Sequence, residues 1–153
     1  PVLFARRARH AAAVAADVIL AAAGFDVHAA LPAGAVAVPV PSGTRPCPDI
    51  APLPSVLTGA FAALSATGTV VVAAGPGMPR SVSIVPPVHI ALLPKSRIIP
   101  DLPALFSALS PAAGLPSAIH AISGVSSTGD IEFVYVRGAH GPVAVHVVVL
   151  EWR

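Results

Sequence analysis

Residues 67–77 read Thr-Gly-Thr-Val-Val-Val-Ala-Ala-Gly-Pro-Gly, a valine run bracketed by glycines, and its reading decides the fold. Gly68 breaks whatever precedes the run and Gly75-Pro76-Gly77 ends it, so Val70 to Val72 read as a short buried strand. Four companions sit along the chain. His89 to Leu93 is stopped by a proline, Ala118 to Ile122 and Val143 to Leu150 follow, and Ala35 to Val40, ended by proline, reads as a strand near a sheet edge. These strands are continuous apolar runs separated by helical stretches, which predicts a mostly parallel sheet with helices on both faces: an α/β fold.

Three helices complete the pattern. From Leu3 to Ala22, Phe4, Ala8, Ala11, Ala15, Val18 and Ala22 recur at three- and four-residue spacing, opposite Arg6, Arg9, His10 and Asp17. Gly24 suits the C-terminal cap of this helix, after which Phe25 to His28 can begin a strand. Ser55 is placed to cap a second helix with Val56, Ala60, Phe61 and Leu64 on one face, and Asp101 a third from Leu102 to about Leu109. Six prolines between Pro39 and Pro54 forbid regular hydrogen bonding and predict an extended loop. Residues 1–153 are expected to form one domain.

Composition narrows function. Of 153 residues, 55% are apolar, only 5% aromatic and 10% charged, so small aliphatic side chains pack the core and disorder is excluded for most of the chain. The single cysteine, Cys47, excludes a disulfide framework, a four-cysteine iron–sulfur cluster and a zinc ribbon built from this chain alone, and it has no nearby base to make it a nucleophile. A mean hydropathy of +0.81 raises the question of a membrane span. The best window, Ser55 to Ala74, carries five hydroxyl residues and two glycines and reads instead as helix, turn and strand. Asp17 interrupts the apolar stretch that follows Arg6, Arg7 and Arg9, so a cytoplasmic helix is expected there. The net charge of +2 is scattered, without the basic clusters of a nucleic-acid surface, and suits a small anionic ligand.

Three loops hold the candidate chemistry. Thr67, Gly68 and Thr69 offer hydroxyls and backbone N–H groups to an anion, or form a tight turn that satisfies itself. Gly75, Gly77 and Arg80, followed by Ser81 and Ser83, place a glycine loop, a guanidinium and hydroxyls after a strand, an order that suits phosphate or carboxylate. The spacing matches neither a P-loop nor a dinucleotide fingerprint, so ATP and NAD are not supported. The third loop, from Ser123 to Pro142, gathers Ser123, Gly124, Ser126, Thr128, Asp130, Glu132, Arg137, Gly138, His140 and Gly141. Asp130, Glu132 and His140 are candidates for proton transfer; the plainer account has Asp130 capping, Glu132 paired with Arg137 and His140 filling a turn. Ser127 and Asp130 have capping-box spacing, while Ile131, Phe133 and Tyr135 alternate as in a strand, and both readings stay open. His89 reads as a hydrogen-bonded structural histidine and His146 as core or edge. No paired histidine spacing indicates a metal site.

Several of these motifs, in this order, resemble the LUD domain family, in its lactate utilization protein C branch. They are Thr67-Gly68-Thr69-Val70-Val71-Val72, Gly75-Pro76-Gly77 with Arg80, Pro87-Val88-His89-Ile90, Ile99-Pro100-Asp101-Leu102, Ser123-Gly124 with Thr128, Asp130-Ile131-Glu132, and Gly138-Ala139-His140-Gly141-Pro142. The resemblance covers about Ala60 to Leu150. It implies a fold similar to the sugar-phosphate isomerase, coenzyme A transferase and formyltetrahydrofolate cyclo-ligase group. It also implies a role beside iron–sulfur partner proteins in oxidising L-lactate to pyruvate, with the clusters in those partners and no cofactor in this chain. Where the family reads Gly-Pro-Ser-Arg-Thr-Ala-Asp-Ile-Glu, this chain has Val125, Ser127 and Gly129 in place of the proline, arginine and alanine, and Ala66 where the family tends to carry glutamate. Losing that arginine removes a bidentate clamp and shifts anion binding onto Arg80, Arg137 and backbone groups. The leading expectation is a lactate-utilization subunit that binds a small carboxylate or phosphate. The rival is a stand-alone isomerase-, transferase- or cyclo-ligase-like enzyme with Asp130 or Glu132 as base and His140 as acid.

Overall fold

A computed structural model describes residues 12–14, 37–39, 55–75, 78–109, 114–129 and 135–151. In chain order the strands are β1 (Ala12–Val14), β2 (Ala37–Pro39), β3 (Ser55–Gly59), β4 (Ala62–Leu64), β5 (Thr69–Ala74), β6 (Val88–Pro94), β7 (Ile98–Ile99), β8 (Ala118–Ile122), β9 (Ser127–Gly129), β10 (Tyr135–Arg137) and β11 (Ala144–Leu150). One α-helix among the described residues, α1, spans Leu102–Ala108. The first sheet has the order β11-β6-β3-β1-β2 and is parallel throughout. The second has the order β7-β4-β5-β8, with β5 antiparallel to both neighbours, and β9 and β10 form a separate antiparallel hairpin.

The chain passes between the two sheets within two residues. The Ala60 N–H still donates to the Leu92 carbonyl of β6 at 2.8 Å, and the Phe61 N–H already donates to Val71 of β5 at 2.8 Å. The core lies between the sheets. Val56, Ala91 and Leu93 come from the first and Ala63, Val70 and Val72 from the second, with Met78 and Val82 from the connecting turn. Alanines at 60, 63 and 91 let the backbones approach closely, which explains how a chain poor in aromatics packs. On the other face of the second sheet, Leu105 of α1 packs with Ala62, Leu64 and Val71. The α1 N-terminus is capped as the sequence predicts, the Asp101 carboxylate accepting from the Ala104 N–H at 3.0 Å.

The α/β class and the parallel sheet therefore stand, as do the strands over Val70–Val72, His89–Leu93 and Ala118–Ile122; the one expected from Val143 to Leu150 begins at Ala144, and β2 ends the first sheet's order among the described residues. Two helix expectations are corrected. The segment from Ser55 to Leu64 is β3 followed by β4, and Ser55 is a strand residue opposite Val88 rather than a cap. Every residue of β3 is buried, so its two faces are alike and the period-two signal vanishes; Val56, Ala60 and Leu64 then mimic a helical stripe. Within the helix expected from Leu3 to Ala22, Ala12–Val14 pair in parallel with both β2 and β3, so tertiary pairing overrides alanine's helix propensity there. The rest of that helix, the Gly24 cap, the Phe25–His28 segment and the proline stretch after Pro39 lie outside the described residues. The layer facing β3 and β6 is consequently the second sheet where a helix was expected. Ser127 lies in β9 opposite Arg137, which favours the strand reading of the third loop over the capping box. No helix among the described residues is long and apolar enough to cross a membrane.

Candidate functional site

Antiparallel pairing sets Ala74 at the end of β5 opposite Ala118 at the start of β8, bringing the loop after β5 beside Ser117. There Gly75 and Met78 exchange two backbone hydrogen bonds of 3.0 Å, and the chain turns through residues 79–85, where the Ile84 and Val85 N–H groups donate to the Ser81 carbonyl. The Arg80 guanidinium donates to the Ser117 carbonyl. Ser83 is buried and its hydroxyl meets His120 Nδ1 at 2.7 Å.

Register aims two histidines into one layer. His120 lies opposite Val72 on β8, and His89 opposite Val56 on β6; both valines belong to the core between the sheets. His89 is fully buried and its Nε2 meets Thr58 Oγ1 at 2.8 Å, while His89 Nδ1 and the Ser81 hydroxyl are buried without a hydrogen-bond partner. Burial, reinforced by His120, pushes the His89 pKa down to about 4. Partial burial and then the Arg80 charge push His120 below its ordinary value. Both imidazoles are therefore neutral at neutral pH, and Arg80 supplies the positive charge. The described carboxylates lie elsewhere: Asp101 caps α1 and Glu151 pairs with Lys95 at 2.7 Å.

The loops expected to line one site divide into two groups. Thr67 Oγ1 meets Thr69 Oγ1 at 2.6 Å, and Thr69 Oγ1 meets Ser123 Oγ at 2.8 Å, so the first and third loops join through a chain of hydroxyls. Gly68 at φ +67 makes the turn between β4 and β5, and Gly124 at φ +137 follows Ser123. This chain sits at the start of β5, and Gly75 and Arg80 sit past its end; the six steps from Thr69 to Gly75, at about 3.4 Å each, put the two groups roughly 20 Å apart. In the third loop, Ser126 accepts from the Gly138 N–H at 2.7 Å through its carbonyl and from the His140 N–H at 3.3 Å through its hydroxyl. The backbone of His140 is thus tied down and its side chain is exposed. Thr128 pairs with Val136 in the hairpin, Arg137 is exposed and Gly141 half-buried. Gly77, Asp130 and Glu132 lie outside the described residues. His146 is exposed on β11, at the end of the sheet order.

Sequence reasoning missed Thr58, His120 and the pairing of Ser83 with His120. One signal was present: Thr58, His89 and His120 each interrupt an otherwise apolar run, as the exposed His146 also does, and a buried polar group needs a partner. Among the described residues, no three His, Cys, Asp or Glu side chains come together to hold a metal ion.

The LUD domain profile matches residues 54–150, from β3 through β11. Lactate utilization protein C of Halalkalibacterium halodurans is 42% identical over 101 residues, 63% of this chain and 44% of that protein. The Bacillus subtilis protein of the same name is 36% identical over 94 residues, 59% of this chain and 39% of that one. The chain spans less than half the length of these curated relatives. Among solved structures, a DUF162 family protein from Deinococcus radiodurans superposes with a TM-score of 0.50 at 20% identity, covering 92% of this chain and 87% of that one, a likeness of fold.

Proposed function

The chain belongs to the LUD domain family, and from that premise we propose that it serves lactate utilization as a subunit that binds a small carboxylate or phosphate beside Arg80. One observation carries this reading. The turn between β5 and β6 brings the Arg80 guanidinium to the Ser117 carbonyl and the Ser83 hydroxyl to the neutral His120 imidazole, and the carboxylates among the described residues lie elsewhere. A guanidinium offers paired N–H donors that match a carboxylate or phosphate edge, and hydroxyls and imidazole N–H groups add neutral donors. Such a set holds and orients an anion. Electrons taken from lactate would pass to iron–sulfur partner proteins, because one cysteine cannot build a cluster here. A protein partner also has a surface to meet: Leu102 and Phe106, one turn apart on α1, are 50% and 65% exposed.

The test is an anaerobic pull-down from source cells with the tagged chain, with iron analysis and a lactate-oxidation assay of the eluate. Iron-containing partners with lactate oxidation support the reading. An iron-free eluate, together with turnover of sugar phosphates, acyl-coenzyme A or folates by the isolated chain, replaces it with the enzyme reading.

A further inference from the structure

We propose that the anion held by Arg80 arrives together with a proton taken up by His120, so that binding at this site is proton-coupled. The inference rests on the anion reading above and concerns how that site is regulated.

His120 can accept the proton without losing its partner. Its Nδ1 lies 2.7 Å from Ser83 Oγ, and a serine hydroxyl both donates and accepts. In the neutral imidazole the hydroxyl can donate to Nδ1. In the imidazolium Nδ1–H donates to the same oxygen, the hydroxyl having rotated. His89 also meets a hydroxyl, Thr58 Oγ1, but it is fully buried, while His120 is half-buried and reachable by solvent. Ser83 thus fits both charge states of His120, a property an apolar or carbonyl partner would lack.

What keeps His120 neutral in the free protein is its surroundings. The titratable and charged groups facing it among the described residues are Arg80 from the turn after β5 and His89 from β6, and neither is negative at neutral pH. Asp101 sits at the start of α1, which packs on the opposite face of the second sheet. Glu151 pairs with Lys95 past the far ends of β6 and β11. An anion on Arg80 neutralises the charge that repels the imidazolium and adds a negative one beside it. Removing that repulsion favours the imidazolium and raises the pKa of His120. By linkage the proton strengthens the anion's hold by the same factor, and the association constant rises up to about tenfold for each pH unit of acidification while His120 titrates.

The probes are L-lactate and inorganic sulfate, neither of which titrates near neutrality. Calorimetry of the full chain at about pH 6.5, in two buffers of different ionisation enthalpy, reads the protons taken up per anion. The expected result is a substantial fraction of one proton per anion, and His120→Gln, which removes one donor of the site along with its titrating group, should bind the anion more weakly and take up no proton with it. As a check that needs no variant, NMR titration of the His120 imidazole should show its pKa raised by saturating sulfate. Binding without proton uptake and without that rise overturns the inference and leaves the anion reading standing. No binding of either anion between about pH 5.5 and 8 overturns both.

Discussion

Acid should loosen this protein through His89, and the size of the effect follows from its burial. The side chain is fully enclosed, with Nε2 on Thr58 and Nδ1 unpartnered. Its pKa is 6.5 in an unfolded chain and about 4 in the fold. Above 6.5 neither state binds the proton and the group has no effect on stability. Between 6.5 and about 4 the unfolded chain binds a proton that the native state refuses, so stability falls with pH, and below about 4 the loss levels off. At about 1.36 kcal/mol per tenfold change in proton affinity, that gap corresponds to a loss of about 3 kcal/mol. The assay is urea unfolding of the parent and of His89→Gln across the same pH range, because glutamine carries an amide to meet Thr58 and does not titrate. Contributions of the carboxylates are common to both proteins and cancel in the difference. The parent should lose about 3 kcal/mol more than the variant between neutrality and about pH 4. Parallel profiles would refute the reasoning.

Four substitutions probe other parts of the account. Ser83→Ala removes the hydroxyl from His120 Nδ1 and should cost about 1 kcal/mol in chemical denaturation, with a changed His120 titration by NMR. Asp101→Ala deletes the α1 cap, costing about 1 kcal/mol and speeding amide exchange in residues 102–108 above that in β5. Gly138→Ala puts a methyl 2.6 Å from Val143 Cγ1 at a φ of +74, so roughly 1–3 kcal/mol should be lost, read from the shift in Tm. Leu92→Ala empties a fully buried site in β6 and should cost about 2–5 kcal/mol, enough to unfold a marginal domain in a thermal scan.

The sequence was most readable where chain chemistry acts locally. Proline after Leu93, the glycines flanking the valine run and the carboxylate at Asp101 each terminate or cap an element through their own backbone limits, and those boundaries match the structure. It was least readable where burial erases periodicity. β3 is enclosed on both faces between β6 and β1, so nothing local separates it from a buried helix, and β1 is a strand because β2 and β3 pair with it. The candidate site shows the same divide. Thr67, Thr69 and Ser123 were visible as turn residues, and the fold joins them. That Arg80 lies at the opposite end of β5, and that Ser83 meets His120 across 37 residues of chain, is decided by strand register alone.

The most direct test of the central claim is a two-dimensional NMR titration of the assigned chain with L-lactate and with sulfate. Saturable shifts centred on Arg80, Ser81, Ser83 and His120, absent in Arg80→Gln, are the predicted result. Shifts centred instead on Thr67, Thr69 and Ser123, or none at either end of β5, would contradict it.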